Sequence, residues 1–327
     1  MTTIYVAQPE TELMVRSRQL QVFQQQRFCF AVPLSRVNQV IILGTQPWAQ
    51  KAVNVALSLQ IPVLYFEPDG HCIAYVQPLD ESARYGSMQW ARSQEVTFVR
   101  QTAESLVRAK LHNARVVLGR SPASLPKAVQ HVRLLLQRLI DDLPLAPSLA
   151  ALKTYDETGT SLYQAALHRC LPDRFRRYNR GLFPLRRLTD LGVALLSQRI
   201  QVVVQAAGLD PDIANLHCDA IERSPLVCDF LNELQVPLVD ALVLELLTTE
   251  QISPDDFIWT EQGISLSPSA LDLFIQEWDA HLAGSMDHLY NGMIQRHQCI
   301  EVQVNAYVSA LLEDEPDYRP LLLKVSA

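Results

Sequence analysis

Residues 40–66 read VIILGTQPWAQKAVNVALSLQIPVLYF. Two apolar runs, Val40-Ile41-Ile42-Leu43 and Ile61 to Phe66, are bounded by Gly, Pro and polar residues, as strands and their turns are. Between them, Ala49, Ala52, Val53, Ala56 and Leu57 recur at helical spacing from Gln46 to Leu59. One short helix is therefore predicted to cross from the first strand to the second.

The β character extends outward from this unit. Ile4-Tyr5-Val6, Gln19-Leu20-Gln21-Val22, Phe28 to Val32 and Ile73 to Val76 are further short β-branched or aromatic runs, and Asp69-Gly70 supplies a tight turn. After Pro78 the period lengthens to about 3.6, in Val96 to Leu118, Ala128 to Leu143, Ser161 to Leu171, Asp190 to Ala207, Leu226 to Leu247 and Ser269 to Ala283. Pro-containing loops at 122–126, 144–147, 172–184, 210–215 and 253–268 interrupt these segments. The expected fold is α+β. A small β-rich N-terminal domain with one short helix (1–80) precedes a hinge (81–90) and a larger all-α, irregular helical-bundle domain (91–327).

A chain of 327 residues, 48% hydrophobic, can bury a substantial core. Its net charge of −7 opposes general nucleic-acid binding, so any DNA contact must be a local basic patch. The six cysteines, at 29, 72, 170, 218, 228 and 299, form no CxxC pair and no zinc spacing, as expected of a reduced, cytoplasmic chain. The N-terminus lacks the pattern of a secretory signal, and no apolar run reaches the roughly 18–20 residues of a membrane span.

Three groups of residues in the helical half carry chemistry. The first is the cluster Arg169, Arg174, Arg176, Arg177, Arg180, Arg186 and Arg187, interleaved with Phe175, Tyr178 and Phe183. Guanidinium forks suit phosphate oxygens and aromatic rings suit bases, so the cluster reads as a DNA footprint; it reads equally as a solvated loop paired with carboxylates. The second runs from Gly208-Leu209-Asp210-Pro211 through Asn215-Leu216-His217 into a helix bearing Asp229, Asn232, Glu233 and Asp240. Asp229 shares a helix face with Asn232 and Glu233, and a histidine arriving before them either completes an oxygen and nitrogen ligand set or is structural. The third is Tyr155-Asp156-Glu157, read as the opening of a helix, where acidic residues are favoured by the dipole.

In order along the chain, these features resemble the CRISPR-associated adaptation endonuclease, the integrase family that inserts spacers into the repeat array. Val32-Pro33-Leu34-Ser35-Arg36-Val37, Val40 to Gly44, Ile61-Pro62-Val63 and Gly70 follow the family's opening pattern. Lys110, Asn113 and Arg115 resemble its Lys-x-x-Asn helix, and Gly208-Leu209-Asp210-Pro211 with Leu216-His217 is its most distinctive signature.

The resemblance implies a metal held by a Glu, a His and a second acidic residue, which fall here on Asp156, His217 and Asn232. Asp156 is one methylene shorter than Glu, about 1.5 Å of reach, and Asn232 offers a neutral oxygen in place of a charged one. Asp229 and Glu233 are the possible substitutes, although Glu233 lies about 100° further round the helix than Asn232.

Mn2+ or Mg2+ is the implied cofactor, with Lys110, Arg174, Arg176, Arg177, Arg180, Arg186 and Arg187 as DNA contacts. The implied partners are DNA (a spacer precursor and the repeat array), a second copy of the chain paired through the N-terminal domain, and a small second adaptation nuclease. A strand edge or flat surface around Val40–Leu43 or Ile61–Phe66 is expected to supply the contact between copies. The implied activity is metal-dependent DNA cleavage and transesterification. The alternative is a catalytically weak or inactive DNA-binding or scaffolding member of an adaptation complex.

Overall fold

The computed structural model describes residues 2–6, 11–43, 56, 58–59, 61–66, 72–76, 83–120, 126–176, 183–220, 223–260, 263–315 and 317–325. The chain forms two compact units, residues 1–81 with 255–275 and residues 82–254 with 276–327.

The first unit holds seven N-terminal strands in two sheets. Strands β2 (Thr11–Arg16), β3 (Gln19–Gln24) and β4 (Arg27–Pro33) form an antiparallel meander. Strands β1 (Thr2–Val6), β5 (Val37–Leu43), β6 (Val63–Phe66) and β7 (Cys72–Val76) form a second sheet in the order β1-β5-β6-β7, in which β5 runs parallel to β1 and β6 and β7 is antiparallel to β6. Ile4, Val6, Leu13, Leu20, Val22, Val40, Ile42 and Val63 from both sheets share one core.

A parallel pair needs a crossover between its strands, and most of the helix expected at 46–59 lies outside the described residues. Ala56 and Ser58 are helical, and Ala56 is buried in that core. The turn at Asp69-Gly70 also lies outside them. The contact between copies is expected from a strand edge or a flat surface at Val40–Leu43 or Ile61–Phe66. β5 and β6 are interior strands with β1 and β7 at the edges of that sheet, and Val40, Ile42, Ile61 and Val63 lie in the shared core, so these strands offer no edge.

In the second unit the chain runs through α1 (Gly86–Ser93), α2 (Val96–Gly119), α3 (Lys127–Asp142), α4 (Leu149–Cys170), α5 (Asp173–Arg176), α6 (Phe183–Ala206), α7 (Pro225–Gln235) and α8 (Ala241–Thr248). After α8 come two hairpins separated by α9 (Pro268–Ala283), and then α10 (Gln298–Leu311). The hairpins are β8 (Phe257–Thr260) with β9 (Gly263–Leu266) and β10 (Ser285–His288) with β11 (Gly292–Gln295).

These hairpins depart from an all-α reading, because four-residue strands offer too few alternations to display a period of two. The first stands where the sequence predicts a loop at 253–268, and residues 255–275 group with the N-terminal strands, away from the single boundary read at 81–90. Within that expected hinge Gly86–Ser93 is helical, and the Tyr85 N–H donates to the Gly208 carbonyl at 2.8 Å.

Helix α2 packs against α3, α4 and α7 and buries Phe98, Leu106, Val107, Leu111, Val117 and Leu118, as a central helix must. Helix α7 is buried on all sides and carries Asp229, Asn232 and Glu233 inward. It passes into α8 through a π-helical turn, Val236–Asp240, that contains Pro237. Proline cannot donate to the carbonyl four residues back, here that of Glu233, and the widened turn accommodates its ring. Asn113 of α2 donates to that same carbonyl at 3.4 Å.

Helix α6 ends in a Schellman motif. The Leu209 N–H reaches the Val204 carbonyl, the Gly208 N–H reaches that of Gln205, and Leu209 and Val204 are both buried. Gly208 takes φ +79°, and a Cβ there would lie 2.9 Å from that of Arg84. This stop aims the 209–217 segment toward α7. Gly208→Ala is expected to lower stability by about 1–2 kcal/mol through left-handed strain alone, with the clash on Arg84 adding to it; chemical denaturation of the full chain measures the loss.

Candidate metal centre

Helices α4 and α7 bring two of the three expected ligands, Asp156 and Asn232, together. Ser148 caps α4 by accepting the Ala151 N–H at 3.2 Å, so Asp156 stands two turns inside that helix and not at its opening. Asn232 faces it from α7, and its Nδ2 donates to Asp156 Oδ1 at 3.1 Å. Lys110 of α2 closes the triangle, its Nζ donating to Asp156 Oδ2 and to Asn232 Oδ1, each at 2.9 Å. Asp156 and Asn232 are buried, and the Lys110 side chain is 19% exposed. A buried carboxylate must be paired, and here the pair is an ammonium and an amide.

His217 is held by a different carboxylate. Asp229 Oδ2 accepts the Asn215 N–H at 2.7 Å, and both its oxygens lie within 3.3 Å of the Leu216 nitrogen. Asp229 Oδ1 also accepts the His217 N–H and its ring Nδ1–H, both at 2.9 Å. One buried anion thus gathers three successive backbone donors and orients the ring, and a neutral ring so held keeps its lone pair on Nε2. This is how a carboxylate commonly sets a metal-binding histidine. Asn232 lies one helical turn beyond Asp229, so the loop bearing His217 is anchored one turn from the triangle.

The two carboxylates read as substitutes are committed elsewhere. Asp229 has both oxygens on the 215–217 loop. Glu233 points into the interior, where the Tyr318 hydroxyl donates to its Oε1 at 2.6 Å, and burial pushes its carboxyl up to about 8. Because α7 is enclosed, residues four apart find different neighbours. Gln235 donates to Asp240 at 3.3 Å.

Asn113 had no role assigned from sequence. Fully buried one turn beyond Lys110, it donates to the Leu321 carbonyl and accepts the Leu323 N–H, each at 2.9 Å, in addition to its bond to Glu233. His112 Nε2 lies 2.8 Å from the Leu323 carbonyl. The C-terminal segment is thereby strapped to the two helices that present Lys110 and Asn232. The Lys-x-x-Asn spacing of Lys110 and Asn113 was the signal available in the sequence.

The arginine cluster is described in part. Arg177, Arg180 and the Arg176 side chain lie outside the described residues. Arg174 pairs with Glu250 at 3.0 Å and Arg186 with Asp190 at 3.7 Å, both pairs exposed. Arg187 is half-buried, and Phe175 is 1% exposed and belongs to the core. Lys110, read as a DNA contact, is turned onto Asp156 and Asn232.

The donor chemistry fits a divalent ion. Asp156 and Asn232 are hard oxygen donors and His217 is an imidazole donor. Among the described residues no three His, Cys, Asp or Glu side chains gather at metal-binding spacing. The two oxygen donors are the acceptors on which Lys110 rests.

A small strand-rich unit followed by a mostly helical one is the architecture that this chain shares with solved structures of known class. The family profile described as CRISPR associated protein Cas1 matches residues 4–280, and the chain belongs to the Cas1 family. A CRISPR-associated endonuclease Cas1 of Thermus thermophilus is 25% identical over 298 residues, 89% of this chain and 88% of that protein. Solved structures that cover the whole chain include the following two. A Cas6-RT-Cas1–Cas2 complex superposes with a TM-score of 0.82 at 19% identity, this chain spanning 36% of that longer one. A casposase bound to integration product superposes at 0.81 with 15% identity over 96% of its length. At such identities the structures establish the fold.

If Asp229 anchors the loop, Asp229→Ala strands buried N–H groups and is expected to cost on the order of 3 kcal/mol. Asp229→Asn, which keeps one acceptor oxygen, is expected to cost less. Urea unfolding of the full chain checks both, and a wild-type midpoint for Asp229→Ala would remove the anchor from the account.

Proposed function

We propose that this chain is the integrase subunit of CRISPR adaptation, joining a DNA 3′-hydroxyl to a phosphodiester of the repeat array with exchange of one phosphodiester for another. The observation that carries the reading is the meeting of Asp156 and Asn232 beside a loop that Asp229 holds for His217, on a chain matched by the Cas1 profile over residues 4–280. The names of the Thermus endonuclease and of the casposase structure support it.

Asp156, His217 and Asn232 would hold one divalent ion, Mn2+ or Mg2+, which when bound supplies positive charge for the phosphoryl oxygens during in-line displacement. The remaining work falls to the protein. Asp229 fixes the ring and backbone of His217 so that its free nitrogen keeps one direction. Asn232 turns its oxygen toward the cation position and its N–H toward Asp156, holding that carboxylate in a single rotamer. Asn113 ties α2, α7 and the C-terminal strap together, which limits how far the two faces of the site can drift.

We assign the DNA path to the arginines at 174–187. The ion pairs of Arg174 and Arg186 are exposed and weak, so both guanidinium groups can exchange a carboxylate for a phosphate at little cost. The N-terminal domain is assigned to pairing with a second copy, and a Cas2 protein is the partner suggested by the Cas1–Cas2 pairing in the neighbouring complex. No helix among the described residues is long and apolar enough to cross a membrane; we place the chain in the cytoplasm, with its DNA.

A strand-transfer assay on branched DNA with Mn2+ tests the function. The natural protein is expected to join strands, His217→Ala to lose the activity, and Asn232→Glu to need less metal. Second-sphere losses run at about 10–100-fold, and Asp229→Asn is expected in that range. Inert natural protein that gains activity only as Asn232→Glu would replace the integrase reading with that of a DNA-binding member. Absence of both DNA binding and joining in every form would overturn it.

A further inference from the structure

The Lys110 ammonium occupies the position from which a cation would bind both oxygen donors. Its two contacts are equal at 2.9 Å, and the third side of the triangle, Asn232 Nδ2 to Asp156 Oδ1, is 3.1 Å. Each polar atom is matched. The amide turns its oxygen to the ammonium and its N–H to the carboxylate, and the carboxylate uses one oxygen for each neighbour.

The charge is matched as well. Asp156 contributes −1, Lys110 +1 and Asn232 nothing, so the triangle is neutral before any ion arrives. A glutamate at position 232 would leave it at −1, with an unspent carboxylate to draw in a metal. The side chains of Lys110 and Asp156 are only 19% and 12% exposed, so water screens this pair less than it screens the surface pairs elsewhere on the chain.

From this geometry we propose that Lys110 is a built-in monovalent competitor for the metal, so that its ammonium, and not the weakness of the donors alone, sets how much divalent ion the site requires. The proposal rests on the reading of Asp156, His217 and Asn232 as the metal site and adds what governs its filling. A divalent ion and an ammonium cannot share the same two oxygens, because like charges at contact distance repel strongly in a partly shielded site. Lysine suits this part: its charge is compact and its stem is flexible, so it leaves by rotation about its own bonds without moving α2. Arginine, planar and forked, would hold both oxygens at once and leave less readily.

The experiment is a titration of the full-length protein with MnCl2 alone, followed by calorimetry and by loss of the free Mn2+ paramagnetic signal, with no DNA present. Natural protein is compared with Lys110→Met, Lys110→Gln, Lys110→Arg and Asp156→Asn, each checked for its fold by circular dichroism. Lys110→Gln keeps a neutral hydrogen bond to Asp156 and guards against a variant that fails to fold. The proposal expects Lys110→Met and Lys110→Gln to bind Mn2+ at least about tenfold tighter than the natural protein, Lys110→Arg no tighter, and Asp156→Asn not measurably. Equal affinity in the natural protein and both neutral variants, lost in Asp156→Asn, would overturn the competitor and leave the metal site standing. No Mn2+ uptake by either folded neutral variant would overturn the competitor together with the metal reading beneath it.

Discussion

A carboxylate enclosed among helices has to be neutralised, and in this chain one lysine meets that need for three helices at once. Lys110 reaches from α2 to Asp156 on α4 and Asn232 on α7, and its three donors and the two acceptors set the register in which those helices pack. One turn on, Asn113 repeats the arrangement with backbone groups, joining α2 to α7 and to the C-terminal strap. Asp156 and Asn232 are placed by Lys110, and His217 by Asp229.

Several of these elements can be anticipated from the amino-acid sequence, and the exceptions have physical reasons. The strands at 40–43 and 63–66 announce themselves as unbroken apolar runs, and Val40 to Leu43, Val63 and Leu64, which point to both faces, are buried. The meander β2-β3-β4 is harder to see. Its two-residue turns, Ser17-Arg18 and Gln25-Gln26, adopt positive φ without the glycine or asparagine that normally signals them, and β2 falls beyond the runs read as strands. The π-helical turn at 236–240 hides inside a helical period that Pro237 alone disturbs.

At the site, Asp156, His217 and Asn232 are assigned by resemblance to a family. The union of Asp156 and Asn232 with Lys110 is a tertiary fact, since 46 and 122 residues separate the lysine from its two partners. Spacing along α7 puts Asp229 and Glu233 on one face of the helix, which is true of a helix with one exposed side. This helix has none, so Asp229 serves the 215–217 loop while Glu233 serves Tyr318. Neutral asparagine at position 232 is the residue whose consequence is most easily underrated. Replacing a charged ligand weakens a metal's hold, and it also leaves Asp156 and Lys110 balanced against each other.

The account turns on a single cation position contested by an ammonium and a divalent ion. Diffraction from crystals of the full chain soaked in Mn2+, with data collected at the manganese edge, examines that position atom by atom. An anomalous peak bounded by Asp156, Asn232 and His217, with the Lys110 ammonium withdrawn from both oxygens, is the predicted result. A peak elsewhere in the chain, or manganese at the site with Lys110 still 2.9 Å from Asp156 and Asn232, would contradict it.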